Sequence, residues 1–429
     1  MRLLLISLVV ALCAPLAAQQ TPDSEPRQRV RTVRELGKQG SETIPKLQVY
    51  LNDPVVDVRV EAVKAIVEIG TQRSLDALIQ ATRDSDAEVQ IRATDGLVNF
   101  YLPGYVQTGL TASLRRVGGA LKSRWTDTND QLIESFIQVR AEVVGALGQL
   151  AKGGVSMEAR ANAARAIGVL RGRAAIPDLL EALRSKDDQV IYESLVALQK
   201  IRDPGVAPKI AFLLRDLSEK VQVAAVETTG LLQNKEALPM LREVLERTRS
   251  AKVRRTALVA MAMIPDEASR DLFTRHFTGK DDSMRAAAAE GLGRLRSPGD
   301  RPLVEKAFDE ERRMNPRLSQ AFALVLLGRQ EISEHSPLQY LINTLNSKSY
   351  RYVALAFLVE LTRDAGVRKS AHEAVPKGTR DEKTMLAQIL ARSGDKDTLP
   401  VLEALSQDSD PDVAQEGVRA LRSLRARLP

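Results

Sequence analysis

The feature that most constrains this chain is a spacing. An amphipathic helical run is in register at Val58, and the same register returns at Val89, 31 residues on. It returns at Val190, Val221, Val253 and Met284, at intervals of 31, 32 and 31, and a last time at Val413. The stretch from Ile44 to Gly70 shows what recurs. Ile44, Leu47 and Leu51 share one helical face, Asn52-Asp53-Pro54 breaks the run, and Val55, Val58, Ala62, Ala65, Ile66 and Ile69 line the face of a second helix. Asp53 and Asp57 stand where free N–H groups and the helix dipole favour a carboxylate, and Gly70 stands where the chain leaves the helix. One such hairpin cannot bury its own apolar faces. A fixed period of this length therefore predicts a stack of helical hairpins sharing one continuous core. Pro45, Pro177, Pro208, Pro239, Pro302 and Pro400 each open a first-helix run, in the turn where a helix tolerates proline. Ile66, Leu198, Leu231 and Leu292 are expected on the buried face of the second helices.

The recurring pattern is D-x-x-V-[RQ]-x-x-A-x-x-[AG]-[LI]-G. Clear copies are DVRVEAVKAIVEIG (57–70), EVQIRATDGL (88–97), EARANAARAIGVL (158–170) and SMRAAAAEGLGRL (283–295). This resembles HEAT repeats, in the short form of bacterial HEAT-like and phycobilisome-lyase-type proteins, over roughly residues 30 to 426. The resemblance implies an all-α fold, an α-solenoid in which helical hairpins form a right-handed superhelix. It specifies architecture far more than function, because such arrays serve many unrelated tasks.

Taken in order, residues 1–18 read as a secretory signal peptide: Arg2, an apolar run from Leu3 to Leu12, then small residues to Ala18. The run is too short for a good membrane span. Leu12 before Cys13 is not the small residue that lipoprotein signals want, so export without lipidation is expected, to the periplasm or beyond the cell. Cys13 is the only cysteine, and its loss with the leader would leave neither a disulfide nor a thiolate site. Residues 19–29 read as a flexible leader, 30–100 as a cap with two repeats and 101–156 as an irregular insertion. Regular repeats are expected over 157–300, degenerate ones over 301–398, and a final repeat with its cap over 399–429. The 62 basic and 55 acidic residues give a net charge of +7, mild for this length, and nothing in it calls for nucleic acid.

Within the interruption, Val106, Leu110, Leu114, Val117, Leu121 and Trp125 form an apolar helical stripe, with Arg115, Arg116, Lys122 and Arg124 beside it. Tryptophan is enriched at binding hot spots and arginine pairs with acidic groups. Two readings stand: an atypical repeat whose stripe packs on its neighbours, or an element in which Arg115, Arg116, Lys122, Arg124 and Trp125 contact a protein or peptide partner or a membrane surface. A second basic group, Arg242, Arg247, Arg249, Lys252, Arg254 and Arg255, reads as a solvated repeat face, with an anionic partner as its alternative.

Catalytic constellations are thin. The pairs Asp84/Asp86, Asp187/Asp188, Asp281/Asp282 and Asp408/Asp410 fall in the same turn of successive repeats, where capping accounts for them. His276, His335 and His372 are the three histidines, and no two have metal-ligand spacing on one helix. His372-Glu373 is similar to the His-Glu steps of deoxyhypusine hydroxylase, a di-iron HEAT-like enzyme, which uses several such steps where this chain has one. The sequence thus predicts an exported, non-catalytic binding scaffold with no cofactor and no metal. The alternatives are a HEAT-like enzyme related to deoxyhypusine hydroxylase or to bilin lyases, or a membrane-surface adaptor acting through 102–136.

Overall fold

The computed structural model describes residues 25–105, 131–134 and 136–428. The expected signal peptide, and the stripe with Arg115, Arg116, Lys122, Arg124 and Trp125, lie outside the described residues. Regular structure among the described residues is entirely helical, in the form of an α-solenoid. After an opening helix, Pro26–Gly37, eleven hairpins follow. Their second helices form one row: Val56–Ile69, Ala87–Tyr101, Met157–Val169, Asp188–Ile201, Glu219–Leu231, Ala251–Ala262, Asp282–Leu295, Met314–Leu326, Arg351–Leu361, Arg380–Ser393 and Pro411–Arg427. Each packs on its neighbours in the row, and most also pack on the first helix of their own hairpin. Ala87–Tyr101 packs directly on Met157–Val169, so the second row runs unbroken past the interruption.

Local chemistry explains why the hairpins form. Asp86, Asp187, Asp281 and Asp410 each sit one residue before a second helix and accept two of its first N–H groups, at 2.9–3.2 Å. The recurring acidic turn is therefore a cap, as its position predicts. Arginine at the start of one second helix then clamps the turn of the next hairpin: Arg59 on Asp84 at 2.8 Å, Arg255 on Asp281 at 2.7 Å, Arg285 on Glu311 at 3.0 Å. Arg59 and Arg285 directly follow the register residues Val58 and Met284, so the V-R step of the pattern supplies this bridge there, while Arg255 lies two residues after Val253.

Several expectations need correction. The opening helix begins at Pro26, inside the stretch read as a flexible leader. Proline's fixed φ suits the first helical turn, and Arg29 holds this helix to buried Asp53 at 2.7 Å. Within the interval 101–156, hairpin pairing resumes at Ala141, where Ala141–Gly153 packs on Met157–Val169. Pro208 does not open an α-helix: with Pro204 it lies in a twelve-residue 3-10 stretch, Pro204–Arg215. Ile66, Leu198 and Leu292 are buried, but Leu231 is only half-buried. Its register position belongs to Thr229, fully buried with its hydroxyl donating to the Ala225 carbonyl at 2.8 Å.

The second row is also unusually close-packed. A methyl group added at Gly168, Gly230 or Gly293 would stand 2.8, 2.7 or 2.6 Å from the Cα of Ala197, Ala260 or Ala323 on the next helix. These glycines lie in the last turns of their helices. Backbones that approach this closely at one end draw the row's C-terminal ends together and curl the stack.

Candidate functional site

The curl brings distant parts of the chain together. The non-helical stretch 131–134 lies across the ends of the second row: the Ile133 N–H donates to the Val169 carbonyl at 3.1 Å, and Lys200 Nζ reaches the Gln131 carbonyl at 3.3 Å. From the other side, the last helix closes on the same stretch. Arg419 pairs with Glu134, and the Arg422 guanidinium lies 5.5 Å from the centre of the Phe136 ring. A contact spanning 285 residues thus sets the middle repeats against the C-terminal ones.

At this closure the chain places arginines where backbone geometry favours glycine. Second helices that end in a left-handed residue ordinarily use Gly, and Gly70 does so here at φ 57°. Arg171, Arg202, Gln233 and Arg296 occupy the corresponding positions at φ 50°, 56°, 53° and 54°. Each costs about 1 kcal/mol relative to glycine. A cation near a helix C-terminus recovers only about 0.3–1 kcal/mol from the dipole.

The charges of Arg363, just past Arg351–Leu361, and of Arg392, in the last turn of Arg380–Ser393, act on Arg202, and that of Arg392 acts on Arg171. Burial, then the charges of Arg363, Arg171 and Arg392, hold the Arg202 guanidinium below its ordinary pKa. Burial and Arg392 lower Arg171 in the same way, against a partial pull from Glu134. Both side chains are nonetheless open to solvent. Among the described residues, none of these four guanidinium groups makes an ion pair or side-chain hydrogen bond. The nearby carboxylates are few: Glu134, already on Arg419, and Glu416, which burial raises above the ordinary carboxylate range and Arg419 and Arg392 pull back.

The basic group the sequence singles out around residue 250 is different. Arg242 donates to the Ala268 carbonyl, Arg254 to the Thr248 carbonyl, Arg247 pairs with Glu243 and Arg255 with Asp281. These arginines serve the stack itself. Elsewhere on the second row, buried Arg165 is neutralised by Glu193 at 2.6 Å, and Arg294 by Glu290 and Glu360. A cleft of about 740 Å³ opens between Ser74–Ala81 and Ala141–Gly153, but its polar groups are engaged, Arg140 with Asp76 and Gln90 with the Val155 N–H.

Sequence reasoning did not single out the arginine cluster, although one signal was available. Arg171 and Arg202 lie one repeat period apart, at the place Gly70 holds in the first repeat. Nothing in the spacing says that the charges of Arg363 and Arg392 act on Arg202.

The histidines are not assembled into a centre. His372 is half-buried, its Nε2 3.1 Å from Thr398 Oγ1, and burial and Arg368 lower its pKa. Among the described residues, no group of three or more His, Cys, Asp or Glu side chains could hold a metal ion. No helix among them is long and apolar enough to cross a membrane.

Comparison with known proteins agrees with this architecture. The family model described as HEAT repeats matches residues 14–98, 206–293 and 243–327, and that of the PBS lyase HEAT-like repeat matches 159–185. The chain is 25% identical over 267 residues to deoxyhypusine hydroxylase-B of Oryza sativa subsp. japonica, covering 59% of this chain and 83% of that protein. It is 30% identical over 149 residues to phycocyanobilin lyase subunit alpha of Nostoc sp., covering 32% of this chain and 54% of that protein. Among solved structures, the complex of CpcE and CpcF of phycocyanin lyase from Nostoc sp. PCC7120 aligns with a TM-score of 0.37 at 19% identity, over 61% of this chain and 90% of that one. With its register, its capping turns and the two family-model matches in agreement, the chain belongs to the HEAT-repeat family.

Proposed function

We propose that this HEAT-repeat chain is a non-catalytic scaffold that binds a protein or peptide partner outside the cytoplasm, with the segment 102–136 as its contact element. The observation that carries the reading is where that segment ends. Its described part lies across the concave ends of the second row and is gripped by Val169, Lys200, Arg419 and Arg422. Insertions in solenoids collect on one face, often the binding face, which supports a contact there. Arg115, Arg116, Lys122, Arg124 and Trp125 are the residues proposed to make the contact. A cross-linked pull-down from the cell envelope tests this. The Trp125→Ala, Arg115→Ser, Arg116→Ser protein should melt like the wild type and lose its partner; retained capture would remove the segment from consideration.

The names of the two curated relatives favour one other reading, a HEAT-like enzyme. Stoichiometric iron in the purified protein would support it against the scaffold.

A further inference from the structure

Neighbouring hairpins are tied by ion pairs, and one junction departs from the rule. From the first hairpin to the eighth, each junction carries at least one such pair, Arg59–Asp84 at the first and Arg285–Glu311 at the seventh, and pairing resumes with Arg351–Asp381 between the ninth and tenth. Among the described residues, no ion pair joins the helices of the eighth hairpin, Arg301–Glu310 and Met314–Leu326, to those of the ninth, Pro337–Thr344 and Arg351–Leu361.

The repeat register shows what is missing. Arg59 and Arg285 each place Nε and Nη2 on the carboxylate two residues before the next cap, Asp84 before Asp86 and Glu311 before Arg313. Their Nη1 groups donate to carbonyls of their own turns. Arg317 repeats the pose: its Nη1 donates to the Glu311 carbonyl at 3.4 Å, and its guanidinium lies 4.9 and 5.2 Å from the centres of the Phe308 and Tyr340 rings. Two residues before the next cap, Tyr350, however, stands Lys348, and 343–350 contain neither Asp nor Glu. Arg317 Nε and, one turn further on, Gln320 Oε1 are two of the four buried side-chain polar atoms that lack a hydrogen-bond partner among the described residues. The linker 327–336 also carries no helix, whereas the linkers before the seventh and eighth hairpins contain the 3-10 turns Glu267–Ser269 and Pro298–Asp300. Across this junction Phe322 stacks on Phe357 at 4.5 Å between ring centres, and apolar contact is non-directional, so the helices can slide where an ion pair would fix them.

A pair that skips a hairpin bridges the same junction. Arg294, in the seventh second helix, passes over the Phe322 ring at 4.8 Å and sets Nε and Nη2 on Glu360 of the ninth, at 2.8 and 2.9 Å. The Ala262 carbonyl and Glu290 hold its Nη1, each at 3.2 Å, and Ser319 donates to Glu290 at 3.0 Å. A planar fork fixed in this way presents one geometry to its carboxylate.

We propose that the junction of the eighth and ninth hairpins is a hinge and that Arg294–Glu360 is its latch. With the latch closed, the last three hairpins stand where Arg419 meets Glu134. With it open they swing about 327–336 while Phe322 slides on Phe357, since hinge and shear motions use a few loop residues and packed helices. The inference concerns the motion of the array and holds whatever the protein binds.

Double electron–electron resonance on the full chain, with Cys13→Ser as background, tests it. One label pair, Lys306→Cys with Lys369→Cys, spans the hinge from exposed sites on the eighth and tenth hairpins, and a second, Lys209→Cys with Lys306→Cys, lies on one side of it. With the latch intact, each pair should give one narrow distance. Glu360→Gln, which leaves Arg294 on Glu290, should broaden and displace the first distance and leave the second unchanged. Lys348→Glu supplies the carboxylate that Arg317 lacks, and adding it to Glu360→Gln should restore the narrow distance. An unchanged first distance in the Glu360→Gln protein would overturn the proposal. So would equal broadening of both pairs, which marks general loosening, or a distance that stays broad after Lys348→Glu, which separates the absent clamp from the motion.

Discussion

Two sets of arginines occupy opposite ends of the same row of helices, and they behave as opposites. At the N-terminal ends, Arg59, Arg255 and Arg285 each reach the acidic turn of the next hairpin. There the cation finishes a cap and ties two repeats. At the C-terminal ends, Arg171 and Arg202 hold left-handed backbone, and the charges of Arg363 and Arg392 act on Arg202. The residue type is the same and the charge density is similar. The difference lies in the partner: a carboxylate fixed by the repeat pattern at one end, other cations brought in by the curl of the stack at the other. A basic run therefore means little until its position on the repeat is known. In the group around residue 250, Arg247 and Arg255 pair with carboxylates and Arg242 and Arg254 donate to backbone carbonyls.

The sharpest way to break the comparison is to remove a paired arginine. Arg59 is almost buried, bonded to both Asp84 oxygens and to the Asp53 carbonyl. Arg59→Ala strands the Asp84 carboxylate and should cost about 3–5 kcal/mol in urea unfolding. A loss below ~1 kcal/mol, the range of exposed pairs, would show that the N-terminal set is ornamental.

A smaller effect tests the geometry that separates the two sets. Gly230→Val adds atoms where even a methyl stands 2.7 Å from the Ala260 backbone. It should destabilise by about 1–3 kcal/mol, and it should loosen the curl of the stack. Small-angle scattering would register that opening as a larger radius of gyration, and an unchanged radius would separate the glycine contacts from the curvature.

The paired set also predicts a pH response. The Arg255 guanidinium, outweighing burial and helped by the Met284 and Ser283 N–H groups, holds the Asp281 carboxyl below its ordinary pKa. A lowered folded pKa contributes stability above the unfolded value, about 4, and loses it as pH falls through the folded value. Urea midpoints should therefore fall between pH 5 and ~2, and Asp281→Asn should make that fall shallower. An unchanged acid profile in the variant would contradict the assignment.

Much of this was written plainly in the sequence. The period, the capping aspartates and the apolar faces follow from local spacing, because each is satisfied within one hairpin or between neighbours. Thr229 was missed because a buried hydroxyl satisfied by its own helix reads as polar in a string of letters. The helical start at Pro26 was missed because two prolines and several charges resemble a leader, while its anchor, Asp53, lies 24 residues away from Arg29. The arginine cluster was half legible. Arg171 and Arg202 repeat with the period, but the action of the Arg363 and Arg392 charges on Arg202 depends on close approaches such as Gly230 on Ala260, summed over many repeats. Small angles accumulated along a solenoid leave no motif.

The central claim is that the C-terminal arginines are held against the interest of the fold, and unfolding the Arg171→Gly/Arg202→Gly protein beside the wild type in urea tests it most directly. Left-handed strain of about 1 kcal/mol at each site exceeds the lost dipole interaction, and removing two crowded cations helps further. The variant should be more stable than wild type by about 1 kcal/mol at low salt. The gain should shrink, without vanishing, when salt screens the charges and leaves the backbone contribution. A variant less stable than wild type at both salt concentrations would contradict the account, because these arginines would then be holding the solenoid together like those at its other end.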